Sequence, residues 1–354
     1  MPNDIDNSTY RKIYDAELRI ISPVVIQTGE TYGFMEILPS SKTCTGKLLD
    51  IGKTLSNLDE RTLMSFVDYV DSQKYNEARE LFLKREGVIK GSSIIFTQKS
   101  YDKIKENSNI EISKPIVNPM TNKPYIPGSS IKGALRTAFL EYKRDKELLP
   151  QEKEKTKDFE YKILGNNGGI LDDPFKNLLV SDFFIQNSNL VIGDITVGSQ
   201  IPTFSGMIDA WCFRKKKLTF NSKDKGQMDV IAKGTIVVKY PKGKTKTPMK
   251  KVLNSLSFYD RKFLDKKAWR DDEGAQELWN ICSKEKRKEN EFFIRIGRHS
   301  GIENVTLDVP KMKSGLISNE NIEGGKSRPK VLNNTYPLGF CLLSVKERSY
   351  EIDN

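Results

Sequence analysis

The sequence predicts an α+β fold built on an antiparallel sheet. Runs of β-branched and apolar residues of strand length recur along the chain, at 17–27, 178–185, 190–197 and 338–345. Segments with helical spacing stand among them, at 55–86, 129–148 and 252–291. The two kinds mix without the regular strand–helix alternation of a parallel sheet, and no long internal repeat is visible. One domain over residues 1–354 is expected, with helical insertions at about 54–88 and 252–291.

The first strand is Glu17 to Gln27, where Pro23 lacks an amide donor and so implies an edge position or a bulge. Thr28-Gly29-Glu30 reads as a turn, followed by an extended piece from Tyr32 to Leu38 and a break at Pro39-Ser40-Ser41. Between 55 and 86, Leu63, Phe66, Val67 and Val70 recur at helical spacing, as do Leu81 and Phe82, a stripe suited to core contacts. Pro115, Pro119, Pro124 and Pro127 make a rigid approach to a helix that starts near Ser129-Ser130 and runs to about Leu148. Either serine can cap its first turn. The polar, lysine-rich stretch 150–168 reads as a mobile loop. Strands follow at 178–185, 190–197, 206–213 and 235–240, then an exposed loop at 241–251 (PKGKTKTPMKK). After the helical region 252–291, FFIRIGRHSG is a short strand entering a glycine turn. A Gly/Ser/Asn stretch, 314–334, precedes the last strand, Leu338 to Val345.

Charge narrows the partner class. The chain holds 58 Lys plus Arg against 47 Asp plus Glu, a net of +11 over 354 residues. Between Arg214 and Lys251 stand thirteen basic residues and two acids, so the surplus is local and the remainder is balanced. A local positive field suits a polyanion. Phe204, Trp211, Phe213, Phe220 and Tyr240 lie among or near these lysines, where bases can stack while lysines meet phosphates. A solvated lysine-rich loop would carry the same pattern.

Composition also excludes chemistry. No apolar run approaches the roughly 20 residues that span a bilayer, and Met1 to Tyr10 is polar, so a cytoplasmic protein is expected. The four cysteines, Cys44, Cys212, Cys282 and Cys341, are far apart and are expected to be reduced and mostly buried. With one histidine in the chain there is no zinc-ligand spacing, and no metal or cofactor is expected. Any His-dependent mechanism must use His299, which could activate a ribose 2′-hydroxyl as general base without a metal. A structural or RNA-contacting role is the reading preferred for His299, with the general base as the alternative.

Three segments carry candidate sites. In Ile126-Pro127-Gly128-Ser129-Ser130-Ile131-Lys132-Gly133-Ala134-Leu135-Arg136, a Gly-Ser-Ser turn opens a helix whose first N–H groups suit an anion. Lys132 and Arg136 lie four apart on one face. The spacing is not that of a P-loop, and an ordinary capped helix is an equally simple account. Arg295-Ile296-Gly297-Arg298-His299-Ser300-Gly301 combines a tight turn with cationic donors, which fits phosphate or RNA and also a plain surface turn. Asp172-Asp173-Pro174 invites a metal reading, but Asp-Pro at a turn entry is common structural chemistry, and that is the reading preferred.

Together these motifs resemble the RAMP superfamily of CRISPR effector subunits. SPVVIQTGE looks like its opening strand and glycine turn, IPGSSIKGALRTAFL like its first-helix signature, and LDDPFKNLLVSDFFI like its mid-chain strand entry. FFIRIGRHSG and YPLGFCLL resemble the glycine turn and closing strand of type III-A (Csm) members, most of all the fifth-subunit family that caps the 3′ end of the CRISPR RNA. The resemblance implies an RRM-like, ferredoxin-like core and a subunit that binds CRISPR RNA. It implies packing against the backbone RAMP subunit and other Csm subunits, with target RNA and host nucleases as further partners. In this reading, 3′-end maturation is supported by recruiting nucleases. The implied RNA-binding residues are Gly29, Gly128, Ser129, Ser130, Lys132 and Arg136, then Arg295, Gly297, Arg298 and His299. Arg214, Lys215, Lys216, Lys217, Lys242, Lys244 and Lys246 would extend the path. The backbone subunit's cleavage depends on an early-loop aspartate, and the matching stretch here, Glu30 to Glu36, has none. Target cleavage by this chain is therefore not expected, and no sheet-aromatic RNP signature is found. The enzymatic alternative is a metal-independent endoribonuclease acting through His299.

Overall fold

The computed structural model describes residues 10–33, 35–40, 44–84, 89–107, 110–121, 123–147, 164, 173–185, 190–197, 203–210, 230–240, 252, 255, 273–284, 288–298, 329–331 and 336–348. In chain order the elements begin with β1 (Tyr10–Ile20), β2 (Gln27–Thr31), β3 (Ile37–Pro39), β4 (Thr45–Leu49) and the helices α1 (Ile51–Leu55), α2 (Glu60–Asp71) and α3 (Tyr75–Leu83). Next come β5 (Gly91–Phe96), α4 (Gln98–Glu106), β6 (Ile112–Pro115), β7 (Tyr125–Ile126) and the long α5 (Gly128–Glu147). β8 (Leu178–Val180), β9 (Phe183–Ile185), β10 (Leu190–Val197), β11 (Thr203–Ile208) and β12 (Ile231–Tyr240) follow. The described chain ends with α6 (Glu273–Lys284), β13 (Glu291–Arg295), β14 (Pro329–Val331), β15 (Tyr336–Pro337) and β16 (Phe340–Glu347). No described helix is long and apolar enough to cross a membrane.

Two sheets form. The first is antiparallel throughout, in the order β13-β16-β1-β12-β9-β7, with β8 also on β12. Within it, β16-β1-β12-β8/β9 with α5 between β1 and β8 is the split β-α-β pattern of a ferredoxin-like core. The α+β, ferredoxin-like expectation holds. The second sheet, β2-β6-β11-β10-β5-β4-β3, is mixed, because β10 pairs parallel with β5 and β11 parallel with β6.

β1 begins seven residues earlier than its apolar run, since Tyr14 and Ala16 continue the buried alternation of Leu18 and Ile20 while Asp15 and Glu17 face outward. β1 ends at Ile20, three residues before Pro23, and Ile21 N and Ser22 N both donate to Phe340 O, two residues opposite one as in a bulge. Thr28-Gly29-Glu30, expected as a turn, lies inside β2, and the register shift between Gln27 and Thr31 makes it a bulged strand with Gly29 at φ +94°. The 178–185 run is two strands, broken at Ser181-Asp182. Pro39, expected as a break, ends β3 at the outer edge of the second sheet, where its missing donor is tolerated.

The main core joins both sheets and α5. Leu18 and Ile20 of β1 meet Val191, Met207 and Ile208 of the second sheet, with Ile131, Leu135 and Ala138 of α5 in the same cluster. Burying each large aliphatic here stabilises by about 1.5–3 kcal/mol before entropy. A second cluster packs Tyr101 and Ile104 of α4 on Phe96 and Ile192, and a third packs α3 (Ala78, Phe82) on Met35, Leu38 and Leu49. Arg79 is buried between them, its Nη1 donating to Ile104 O at 3.0 Å, and burial lowers its pKa to about 10. The helical reading of 55–86 corresponds to α2 and α3, separated at Ser72–Lys74. The loop readings at 150–168 and 241–251 lie outside the described residues apart from residue 164, and 252–291 is described chiefly through α6.

The described cysteines Cys44 and Cys341 are free and buried. Burial pushes both thiols up, Cys341 strongly, and the nearby Asp102 carboxylate adds to the shift at Cys44. Since the thiolate is the nucleophile, maleimide is expected to leave Cys341 unmodified in the native protein and to label it in denaturant. Mass spectrometry of its peptide checks this, and rapid native labelling would contradict the packing of β16.

Candidate RNA interface

The site is assembled by three backbone segments that cross where β1 ends. Val25 O accepts from Arg298 N at 2.7 Å, Pro23 O from Gly339 N at 2.9 Å, and Gly339 O from Ile296 N at 3.0 Å. This crowding explains two glycines. Gly297 sits at φ +87°, and a Cβ there would fall 2.6 Å from Val25 O; Gly339 sits at φ +84°, with Ile296 O at 2.2 Å. The glycine at 297 therefore serves the packing of the chain on itself. By doing so it fixes where Arg295 and Arg298 stand.

Around this crossing lies a cleft of about 560 Å³. One wall is Ile26 to Gly29, running from the end of the crossing into β2. The second is the Ser129, Ser130, Gly133, Ala134 and Thr137 face of α5. The third is Arg295 to Arg298. No acidic residue is among the described residues lining it. Arg298 Nη1 donates to Gln27 Oε1, and Gln27 Nε2 donates to Ser205 Oγ at 3.0 Å, so the guanidinium is tethered to β2. Arg295 is deeply buried, with Nε donating to Leu338 O at 2.7 Å and its guanidinium 4.8 Å over the Phe340 ring. The start of α5 adds the positive end of a 20-residue helix. Two fixed cations, a helix N-terminus and small hydroxyls suit a phosphodiester backbone.

The first turn of α5 is not capped by Ser129 or Ser130. Gly128 N donates to Asp182 Oδ1 at 2.9 Å, a cap supplied from between β8 and β9. Gly128 and the start of the helix are thereby seated on β8, while Ser129 and Ser130 are left to line the cleft. At Gly29 and Gly133 the position of a Cβ is open space within 4 Å. Packing therefore does not require glycine at 133, although glycine inside a helix costs about 0.5–1 kcal/mol relative to alanine. Gly133→Ala is expected to raise the unfolding free energy by about that amount, read from a urea titration. A loss of stability would show that the cleft wall is closed.

Lys132 and Arg136 do not line the cleft. They lie on the flank of α5 that faces Asp173, whose Oδ2 accepts from Arg136 Nη1 at 2.6 Å. The Arg136 guanidinium also sits 5.5 Å over the Phe175 ring. Burial lowers the Lys132 pKa; the Asp173 carboxylate opposes this and Arg136 adds to it. Asp173 Oδ1 accepts from Phe175 N at 2.8 Å, ahead of Pro174, while Asp172 lies outside the described residues. Of the expected RNA residues, the cleft thus gathers Gly29, Ser129, Ser130, Arg295, Gly297 and Arg298. Gly128 stands at its edge in the sheet contact. His299, Arg214, Lys215, Lys216, Lys217, Lys242, Lys244 and Lys246 lie outside the described residues. The sequence reading missed Gln27, Thr28, Gly133 and Thr137. Ser129, Gly133 and Thr137 follow at four-residue steps, a small and polar helix stripe that could have been read.

The arrangement has relatives. A family model described as the RAMP superfamily matches residues 17–335, which takes in all three walls. The chain belongs to the RAMP superfamily. It is similar to the CRISPR system Cms protein Csm5 of Methanocaldococcus jannaschii, with 28% identity over 139 residues. That match covers 38% of this chain and 32% of the relative, so the chain matches about a third of that relative's length. Two solved structures share the RAMP fold. One is a chain in the cryo-EM structure of a Csm–crRNA–target RNA ternary complex of a type III-A CRISPR-Cas system. Its TM-score is 0.53 at 16% identity, covering 94% of this chain and 100% of that one. The other is the crystal structure of T. onnurineus Csm5, with a TM-score of 0.54 at 13% identity and coverage of 92% and 99%.

Proposed function

We propose that this chain is a CRISPR RNA-binding and assembly subunit of a type III-A effector complex. It caps the 3′ end of the guide and supports maturation by recruiting nucleases. Its partners are CRISPR RNA, target RNA, the backbone RAMP subunit, other Csm subunits and those nucleases. The whole chain acts as one RAMP domain, with the helical segments near 54–88 and 252–291 inserted in it.

The observation that carries the reading is the cleft, acid-free among its described residues, in which Arg298, Arg295 and the start of α5 converge. Membership of the RAMP superfamily supports it. The likeness to a chain in a complex with crRNA and target RNA makes RNA the polyanion of first choice. Backbone contacts position a strand without reading its sequence, so binding here is sequence-tolerant. In this reading Arg214, Lys215, Lys216, Lys217, Lys242, Lys244 and Lys246 also contribute to RNA binding.

The test is co-purification with a tagged backbone subunit, followed by measurement of CRISPR RNA length. Arg298→Glu is expected to shorten the retained RNA population or to lengthen its unprocessed share, and to weaken RNA binding by the purified chain. The salt slope of binding should fall by about 0.7 for each phosphate that is no longer neutralised. If deletion of the whole chain changed neither assembly nor RNA length, the reading would fail. Cleavage of precursor RNA by the purified chain in chelator, abolished in His299→Ala, would replace it with the endoribonuclease.

A further inference from the structure

The inner face of the first sheet carries the core, and part of its outer face lies open. Phe184 of β9 is 52% exposed and Leu179 of β8 is 42% exposed. Phe184 pairs across the ladder with Tyr125 of β7, and their rings stack with centroids 6.2 Å apart and planes 30° apart. On its other side Phe184 is in register with Lys233 of β12, which is in register with Glu17 of β1. The neighbouring residues of each strand, Ile126, Phe183, Ala232 and Leu18, are buried. An aromatic surface therefore continues into a polar one on a single open face.

The charge of that face selects its occupant. By register, β1 and β12 place Arg11, Arg19, Lys233 and Lys239 on it, against Asp15 and Glu17. Both acids are engaged: Glu17 with Lys233 at 2.8 Å, and Asp15 with Arg348. Lys123, exposed, stands two residues before Tyr125. An exposed ring stacked on a half-buried one and bordered by surplus cations matches the two requirements of single-stranded nucleic acid, a stacking surface and a countercharge for phosphate. A protein partner would need either acid complementing this surplus or a broader apolar area.

We infer that the Tyr125–Phe184 pair is a second RNA-contact site, on which an unpaired base stacks while Lys123 faces the adjoining phosphate. This rests on the reading of the chain as an RNA-binding subunit, and it adds a base-stacking contact to a cleft that handles backbone. It differs from the usual RRM arrangement, which presents aromatics from RNP motifs on the sheet. Here β1 and β12 offer Glu17 and Lys233, and the rings come from the β7–β9 edge. This is why no RNP pattern appears in the sequence.

The experiment compares the full chain with Phe184→Ala, Phe184→Trp and the cleft variant Arg298→Ala. The probes are a fluorescent single-stranded RNA and an abasic oligomer of the same length, with thermal melts confirming folding. Phe184→Ala is expected to lose about tenfold in affinity for RNA and little for the abasic strand, and Phe184→Trp to retain binding. Wild-type RNA affinity in Phe184→Ala would overturn the inference, as would an equal loss on the abasic strand. Normal RNA binding combined with failure of Phe184→Ala to join the reconstituted complex would also overturn it, marking a protein-docking face. Arg298→Ala separates the two sites. If it weakens binding while Phe184→Ala does not, the cleft stands and the stacking site falls; the reverse result removes the cleft and keeps the stacking site.

Discussion

Gly339→Ala is expected to destabilise the fold by about 3–5 kcal/mol, the sum of a left-handed backbone forced on a residue with a Cβ and a backbone collision. Gly339 sits at φ +84°, and its Cβ would lie 2.2 Å from Ile296 O. No side-chain rotation can relieve that contact, because the obstacle is main chain. Relief requires β16 to part from the turn after β13, which would break the Ile296 N–Gly339 O and Gly339 N–Pro23 O bonds that hold the crossing together. The expected measurement is a lower urea midpoint with an unchanged slope. Because Arg295 Nε is anchored on Leu338 O, RNA affinity should fall in the same variant even where it remains folded. A midpoint equal to wild type would show that the crossing is looser than its bonds imply.

What the sequence made legible was local chemistry. β10 was readable to the residue, because Leu190–Val197 is β-branched and apolar apart from Gly193, Asp194 and Thr196. α5 was readable because its proline-marked entry and its periodicity agree, and it begins within a residue of the expected serines. Pairings across sequence distance were not legible. Asp182 caps Gly128 from 54 residues downstream, and Asp173 takes Arg136 from 37 residues downstream. The four-residue spacing of Lys132 and Arg136 established a shared face but could not say what covers it. The same limit explains the turn expected at Thr28-Gly29-Glu30. Glycine signals a left-handed backbone, which a bulged strand uses as readily as a turn. β4, β5 and α4 went unread because TGKLL and GSSIIF carry only two or three apolar residues each, and QKSYDKIKE is short and mostly polar. For the site, the glycine-flanked turns were found and their partners were not.

Gly128→Ala should separate the two jobs done at the start of α5. Its Cβ would meet Val180 O at 2.2 Å and Ser181 O at 2.6 Å, so the helix start must lift from β8. That displacement also strains the Gly128 N–Asp182 Oδ1 bond, a cap of about 1 kcal/mol. Together with overpacking of about 1–3 kcal/mol, the expected destabilisation is about 2–4 kcal/mol, visible as a lower unfolding midpoint. Asp182→Ala should lose only the cap's share, with the glycine contact intact. Gly133→Ala lies one and a half turns further along the same helix, where a Cβ meets nothing, and is expected to move stability the opposite way. Both glycines sit in one short motif, so helix propensity alone predicts the same sign for both. Opposite signs require one glycine to be pressed against sheet backbone and the other to border open space. If Gly133→Ala gains stability and loses RNA affinity, the opening at 133 is the route by which the RNA backbone approaches the helix. If it gains stability and binds RNA as wild type does, the strand keeps to the Arg298 side of the cleft.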